Sequence, residues 1–212
     1  PPGEIDSART LRVLDGDTVT EMSFSDYLQG VLRAEMPASF QEDALRAQAV
    51  AARTYTYYKM SSGGNHGDPA DICTDHSCCQ AFLGKDRAAE NWGKNAERYE
   101  AKIENAVSAT DGQVMLYGGA PILAVFHSSS AGETWNSGEV WAQDLPYLQS
   151  VSSPEGEGVP NYYSTVELTE AEFREKFLAA RPEADLSGPA SGWIRDPVMD
   201  GVHVESVTIG GV

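Results

Sequence analysis

The chain has 212 residues, of which 41% are hydrophobic and 22% charged, and its net charge at neutral pH is −17. These values predict a globular protein with a single domain, residues 1–212. No run of about 18 apolar residues predicts a membrane-spanning helix, and the Pro-Pro-Gly start lacks the basic and apolar regions of a signal peptide. The acidic excess excludes a non-specific nucleic-acid binder, which needs surplus Lys and Arg to neutralise phosphates.

The first predicted elements are a β-hairpin and a helix. The segments LRVL and TVTEMS flank a Gly-containing turn, Asp15-Gly16-Asp17. In the helix that follows, Tyr27, Leu28, Val31 and Leu32 recur at amphipathic spacing. Pro37 predicts that this helix ends just after Glu35, because the residue before a proline is restricted to extended backbone.

A second long helix follows this proline. The pattern Ser39-x-x-Glu42 is typical of a capping box and predicts the helix start. Arg53 is expected to be a structural ion-pair partner for an acid. The residues available for the buried side of this helix are Ala44, Leu45, Ala47, Val50, Ala51, Thr54, Tyr55 and Tyr58.

The remainder of the chain predicts further helices and strands. A helix is expected from Glu90 to Ser108, then strands QVMLY and PILAVFH around Gly118-Gly119. STVEL predicts another strand, Thr169-x-x-Glu172 opens a short helix through Leu178, and VHVESVTIGG alternates as a terminal strand. Hairpins and helices without regular βαβ alternation favour an α+β fold, with hairpins, a mixed sheet and a long helix pair.

Glu35 is the candidate catalytic residue. A lone carboxyl among apolar neighbours such as Leu32, Ala34 and Met36 is a candidate general acid and base, since an apolar setting favours its neutral form. The alternative is a structural Glu that caps its helix or pairs with Arg33 or Arg53.

Three cysteines form the second cluster of interest. Cys73, Cys78 and Cys79 lie within seven residues, close to His66 and His76. Thiolates and imidazoles are preferred zinc ligands, although this spacing is not that of a standard zinc finger. A disulfide, Cys78–Cys79 or Cys73–Cys79, or inert thiols are the alternatives.

A segment of small polar residues follows the predicted strand PILAVFH. Its side chains and backbone amides could line a sugar groove, and Trp135, Trp141 and Tyr147 could offer ring faces to pyranoses. No G-x-S-x-G elbow supports a serine nucleophile. The candidate substrate contacts are His127, Ser128, Ser129, Ser130, Gly132, Thr134 and Trp141.

Three segments resemble one known family. AEMPASFQEDALRAQAVAART is similar to the signature of the sporulation protein D (SpoIID/LytB) family, bacterial lytic transglycosylases that cut peptidoglycan glycan strands during engulfment in spore formation. HGDPADICTDHSCCQAF resembles the Cys/His insertion of this family, and FHSSSAGETWNSGEVWAQDLPYLQSVSSP resembles its small-residue loop. The resemblance covers roughly Leu11 to Pro154.

This resemblance implies a function and a site. Glu35 would be the single general acid and base, and cleavage of peptide-stripped strands between N-acetylmuramic acid and N-acetylglucosamine would leave 1,6-anhydro ends. A structural zinc ion would staple an insertion at residues 61–83. Its implied ligands are His66, Cys73, Cys78 and Cys79, with His76 as the substitute if Cys78 is not a ligand.

The resemblance also implies a cellular location and partner proteins. It predicts an extracytoplasmic location, a membrane anchor in the full-length protein, and as partners a wall amidase or endopeptidase and a membrane scaffold of the engulfment machinery. Family members continue past the last strand into a Gly-His-Gly segment, so a C-terminal truncation is expected. Two other functions stay open: a zinc-stabilised module that binds glycan or a partner without cutting, and a metal-dependent hydrolase with an open fourth ligand position.

Overall fold

The computed structural model describes residues 4–63, 69–154, 159 and 162–212, and the chain divides into two compact units, Pro1–Phe126 and His127–Val212. Helices and small sheets occur in both units, so the expected mixture of α and β structure is confirmed. The assignment of all 212 residues to one domain, with an insertion at 61–83, stays a prediction. None of the helices in the described ranges is long and apolar enough to cross a membrane.

The first unit begins with a three-stranded mixed sheet. After a short helix α1 (Glu4–Ser7), strands β1 (Thr10–Asp15) and β2 (Thr18–Ser23) form the predicted hairpin, in which Gly16 takes the positive φ that the turn requires. Strand β3 (Ile72–Cys73) pairs in parallel with β1, with Leu14 opposite Cys73. The sheet therefore carries one of the three cysteines.

Helix α2 (Phe24–Glu35) ends at the residue that the sequence predicted. Ser23 caps its start, because the Ser23 hydroxyl accepts the backbone N–H of Asp26 at 3.0 Å. Its apolar face, with Tyr27, Leu28, Val31 and Leu32, is buried. The helix stops at Glu35, and Met36 before Pro37 is extended with φ −136° and ψ 133°.

Helix α3 (Glu42–Ser61) differs from its prediction in two respects. Its N-cap is Gln41 without a side-chain cap, so the Ser39-x-x-Glu42 capping box is wrong; a turn closed by Phe40 N–H on the Pro37 carbonyl occupies that position. The buried face is also rotated. Of the residues predicted to be buried only Leu45 and Thr54 are fully so, whereas the buried set is Leu45, Gln48, Ala49, Ala52, Arg53, Thr54 and Thr56.

The predicted helix from Glu90 to Ser108 is two helices, α4 (Lys85–Trp92) and α5 (Ala96–Ala109). Gly93 has a φ of +52°, which breaks the helical path between them. Strands β4 (Leu116–Tyr117) and β5 (Ala120–Pro121) follow as a short hairpin. The longer predicted strands do not form, since Met115 N–H donates to Thr54 on α3 and Val125 N–H closes a tight turn on the Leu123 carbonyl.

A buried ion pair joins α2 to α5. Arg33 donates from Nε and Nη2 to the two carboxylate oxygens of Glu100 at 3.0 and 2.6 Å, and the two side chains are 5% and 11% exposed. Lys85 on α4 reaches the same carboxylate at 3.2 Å. Burial disfavours the charged form of Glu100, but Arg33 and Lys85 outweigh it and lower the pKa of Glu100.

The second unit contains small sheets and one longer helix. Its elements in chain order are β6 (Gly132–Glu133), α6 (Ser137–Val140), β7 (Ser152–Ser153), α7 (Glu170–Ala180), β8 (Ile194–Asp200) and β9 (His203–Ile209). The predicted capping box at Thr169 and Glu172 is confirmed at the start of α7, and the terminal strand is confirmed as β9. The strand expected for STVEL is wrong: residues 164–168 pair with no strand of the described chain.

Gly30 gives the first stability test, because α2 contacts Phe82 at this glycine. A Cβ at Gly30 would overlap the Phe82 ring. Ala is favoured over Gly in a helix by about 1 kcal/mol, but overpacking costs about 1–3 kcal/mol. We therefore expect Gly30→Ala to destabilise the protein, measured by urea unfolding. In a Phe82→Ala background the same substitution should become neutral or stabilising; an equal loss in both backgrounds would contradict the packing argument.

The contribution of the Glu100 carboxylate to stability can be tested through its dependence on pH. Since the pKa of Glu100 is lowered on folding, its stabilisation is present above the ordinary value of 4.5 and is lost as the pH falls through the folded-state pKa. Glu100→Gln should lower the free energy of unfolding at pH 7 by about 2–3 kcal/mol. The difference from wild type should narrow in acid. Glu104→Gln, which removes the other and more exposed partner of Lys85, is the control and should have little effect.

Candidate functional site

Glu35 lies at the last position of α2 and its side chain is half-buried. Its Oε1 accepts the backbone N–H of Ala81 at 2.8 Å. Leu32 is buried beside it, whereas Ala34 is exposed and Met36 half-buried, so the expected apolar surroundings exist on one side only. The carboxyl is therefore held by a backbone hydrogen bond on a residue that is only half-buried.

The structure excludes the predicted alternative in which Glu35 pairs with Arg33 or Arg53. Arg33 is engaged by Glu100, and Arg53 is paired with Asp6 at 2.8 Å. Nothing in the described ranges forms an ion pair with Glu35. The Glu35 carboxyl also does not cap its own helix, because its hydrogen bond goes to Ala81 in another segment.

The segment that carries Ala81 is fixed to α2 just beyond it. Leu83 N–H donates to the Gly30 carbonyl at 2.9 Å, and the Phe82 ring stacks on Tyr27 with centroids 5.9 Å apart. This segment was not among the site residues predicted from the sequence. Its one signal was position, since Ala81 comes two residues after Cys79.

The three cysteines come together beside the sheet. Their sulfur atoms all lie within 4.8 Å of one another; Cys73 and Cys79 are buried and Cys78 half-buried. A tight turn brings the pair back toward Cys73, because the N–H groups of Cys78 and Cys79 both donate to the Asp75 carbonyl, at 3.1 and 2.7 Å. No disulfide joins the three, so the disulfide alternative is wrong for this structure.

This group fits a metal ion. Four ligands at Zn–S distances of about 2.3 Å in a tetrahedron place sulfurs roughly 3.8 Å apart, which sulfurs that all lie within 4.8 Å of one another allow. His66, the predicted fourth ligand, lies outside the described residues. The substitute ligand His76 is not part of the group: its imidazole is 83% exposed and lies 3.9 Å from the Asp75 carboxylate.

The thiols are not arranged as nucleophiles. Burial raises the pKa of Cys73 and the pKa of Cys79, which keeps both sulfurs protonated when no cation is beside them. Burial, with the nearby cysteines, also raises the pKa of Tyr55 to about 12. A reactive cysteine needs the opposite, a thiolate at neutral pH, so the cluster suits metal binding and not covalent catalysis.

The predicted sugar contacts all belong to the second unit. His127, Ser128 and Trp141 are exposed, the Trp141 side chain by 46%, and Ser129, Ser130, Gly132 and Thr134 are half-buried. The loop is fixed to β7, since Ser130 Oγ donates to the Ser153 carbonyl at 3.1 Å and Val151 N–H donates to Thr134 Oγ1 at 3.0 Å. Contact of these residues with substrate stays a prediction.

Comparison with known proteins gives a match in the first unit. Residues 15–117 match the family model described as SpoIID, Stage II sporulation protein. The chain is 37% identical over 176 residues to a protein named Stage II sporulation protein D from Bacillus subtilis (strain 168), which covers 82% of this chain and 51% of that protein. The protein of the same name from Bacillus amyloliquefaciens is 34% identical over 160 residues, covering 75% and 46% of the two chains.

A third relative carries a different name. A Bacillus subtilis protein called Amidase enhancer is 31% identical over 180 residues, which covers 85% of this chain and 21% of that protein. The chain spans about half the length of the two Stage II sporulation protein D relatives.

Proposed function

Since the chain belongs to the SpoIID family through the domain at residues 15–117, we propose that it is a peptidoglycan lytic transglycosylase that acts on the cell wall in sporulation. The name of its Bacillus relatives, Stage II sporulation protein D, supports a role in sporulation. The activity itself is proposed from the site.

One observation carries the proposal: Glu35 is a half-buried carboxyl without an ion-pair partner in the described chain, oriented by the N–H of Ala81. A general acid must reach the glycosidic oxygen and must not be neutralised by a fixed cation. No ion pair in the described residues neutralises Glu35, whereas Asp6 and Glu100 are paired with Arg53 and Arg33.

The proposed reaction needs one carboxyl. Glu35 donates its proton to the oxygen that leaves with N-acetylglucosamine, while the bond from that oxygen to C1 of N-acetylmuramic acid breaks. The C6 hydroxyl of the same muramic acid ring then forms the new bond to C1, and Glu35 accepts the proton of this hydroxyl. Because the nucleophile belongs to the sugar, no second carboxylate is needed to activate water.

We propose zinc as the metal held by the cysteines. Cys73, Cys78 and Cys79 would be three of its ligands and His66 the fourth. When bound, zinc would supply structural cross-linking, because thiolates neutralise the ion and four protein ligands leave no position for water. The cluster would order residues 61–83, a stretch rich in Gly, Asp and Ser, against α3 and β1.

The substrate and partners are proposed from charge and chemistry. A net charge of −17 repels anionic polymers, so a glycan strand stripped of its acidic peptides suits this protein better than intact wall material. A wall amidase would supply such strands, and the scaffold of the engulfment machinery would hold the protein at the extracytoplasmic face of the membrane. His127, the three serines that follow it, Gly132, Thr134 and Trp141 would contact the sugars.

A second function is favoured by one relative. The name Amidase enhancer supports a module that assists a wall amidase without cutting glycan itself. Such a module would not require the solvent-accessible carboxyl that Glu35 presents.

The first functional test is Glu35→Gln, which keeps the shape of the side chain and removes the transferable proton. We expect it to fold normally and to lose cleavage of peptide-free glycan strands by at least about 10²-fold. Product ends are identified by mass spectrometry. Glu42→Gln, at the exposed start of α3, is the matched control and should cleave like the wild type.

The product ends separate the candidate functions. Anhydro ends from the wild type support the transglycosylase, and reducing ends indicate a hydrolase that activates water. Uncut strands together with faster action of an added amidase would favour the enhancer. Unchanged turnover in Glu35→Gln would remove Glu35 from the mechanism.

The metal test compares two substitutions in the same loop. Metal analysis of the wild type should find about one zinc per chain, and Cys73→Ser should abolish it and lower the thermal stability. His76→Ala should retain the zinc, because its exposed imidazole lies outside the cysteine group. Zinc loss in His76→Ala would make His76 a ligand, and a metal-free wild type would contradict the assignment.

A further inference from the structure

Gln80 is a buried amide for which the reaction above has no use. Its side chain belongs to a residue that is only 2% exposed and lies between the cysteine cluster and Ala81. Its Nε2 donates to Thr56 Oγ1 at 3.1 Å and, at 3.5 Å, to the Ala52 carbonyl, both on α3. Thr56 Oγ1 in turn donates to the same Ala52 carbonyl at 2.8 Å. The residue is thus tied to one turn of α3.

The Gln80 amide also lies close to the Tyr27 hydroxyl on α2. This hydroxyl donates to the Cys73 carbonyl at 3.1 Å. The Gln80 Oε1 is buried and has no partner in the described chain. Leaving a buried acceptor unpaired is unfavourable, and an apolar side chain of similar length would avoid it. Stability alone therefore does not explain an amide at this position.

The hydrogen bonds of Gln80 restrain the backbone of the next residue, Ala81. Ala81 N–H, the donor to Glu35, belongs to the peptide group that directly follows Gln80. On the other side of Ala81, the segment is fixed to α2 by Leu83 N–H on the Gly30 carbonyl. Anchors on both sides leave this peptide group little freedom to rotate. A backbone donor cannot be placed by its own side chain, so its direction depends on such anchors.

We propose that Gln80 is a positioning residue for Glu35: by holding its own backbone against α3 it directs the Ala81 N–H at Oε1 and so sets the direction of the carboxyl. The inference rests on the proposed catalytic role of Glu35. It also makes the cysteine segment part of the site, because Cys79 and Gln80 are neighbours in the chain. Misplacement of a reacting group by about 1 Å is sufficient to slow a reaction by up to 10²-fold.

The test uses Gln80→Met, which keeps the length of the side chain and removes its donors. We expect kcat on peptide-free glycan strands to fall about tenfold or more with KM unchanged, because binding of the polymer does not depend on the direction of one carboxyl. Thr56→Val removes the acceptor of the same bond and should have a smaller effect in the same direction. Thr56→Ser retains the hydroxyl, so its kcat should equal that of the wild type and exceed that of Thr56→Val.

A spectroscopic readout separates positioning from general loss of structure. In protein with labelled alanine, the resonance of the Ala81 amide should shift when Glu35→Gln is introduced into the wild type. In the Gln80→Met variant, introducing Glu35→Gln should leave this resonance unshifted, while the zinc content stays unchanged. Thr54→Val is the matched control. Thr54 is equally buried on α3 but bonds to Met115 N–H, so kcat and the Ala81 response should both stay at wild-type values.

The outcomes distinguish this inference from the proposed function. A wild type that produces no anhydro ends overturns the function and the inference with it. A cleaving wild type whose Gln80→Met and Thr56→Val variants keep full kcat overturns the inference alone. If Gln80→Met fails to fold, Thr56→Val decides, and an unchanged Ala81 response in that variant would show that Gln80 does not place the donor.

Discussion

A fully buried guanidinium is the constraint around which the first unit is organised. Arg53 is 0% exposed, and it donates to the Asp6 carboxylate, to Thr110 Oγ1 and to three backbone carbonyls, those of Ala49, Val107 and Gln113. A buried charge is tolerated only when its donors are satisfied, so these bonds tie α1, α3 and the end of α5 together. Burial raises the pKa of Asp6 even beside Arg53, and Asp111 adds to this.

Several features that depend on local rules were predicted correctly from the sequence. Features that depend on a distant contact, such as the acid that pairs with Arg53, were not. The hairpin at Gly16 and the end of α2 depend on local rules, a turn glycine and a proline, and both predictions are confirmed. The buried face of α3 was predicted wrongly because apolar periodicity was used as the guide, whereas the largest fully buried side chain of this face is Arg53. That it pairs with an acid was predicted, but its partner Asp6 lies 47 positions away and could not be read from spacing.

In the candidate site, too, features set by local sequence were predictable and features set by tertiary contacts were not. The three cysteines were recognisable from residue type within a short segment, and the structure brings their sulfurs to within 4.8 Å of one another. The catalytic role of Glu35 stays a prediction. Ala81 was not recognisable, since the group it contributes is a backbone N–H that every residue except proline possesses. Its role arises from the tertiary contacts of Gln80 and Phe82, which no local pattern encodes.

In the proposed function, the cysteine segment would be connected to Glu35 through the backbone, and no metal would take part in the reaction. Cys73 is held by β1 and by the Tyr27 hydroxyl, and Cys79 leads directly into Gln80 and Ala81. A cross-link among the cysteines would therefore restrict the backbone that orients Glu35, on a segment whose composition does not order itself by packing. The proposed single-carboxyl mechanism would place its whole demand for precise orientation on one side chain at a helix end. The hydrogen bond from Ala81 restrains that carboxyl, and Glu35 is still only half-buried.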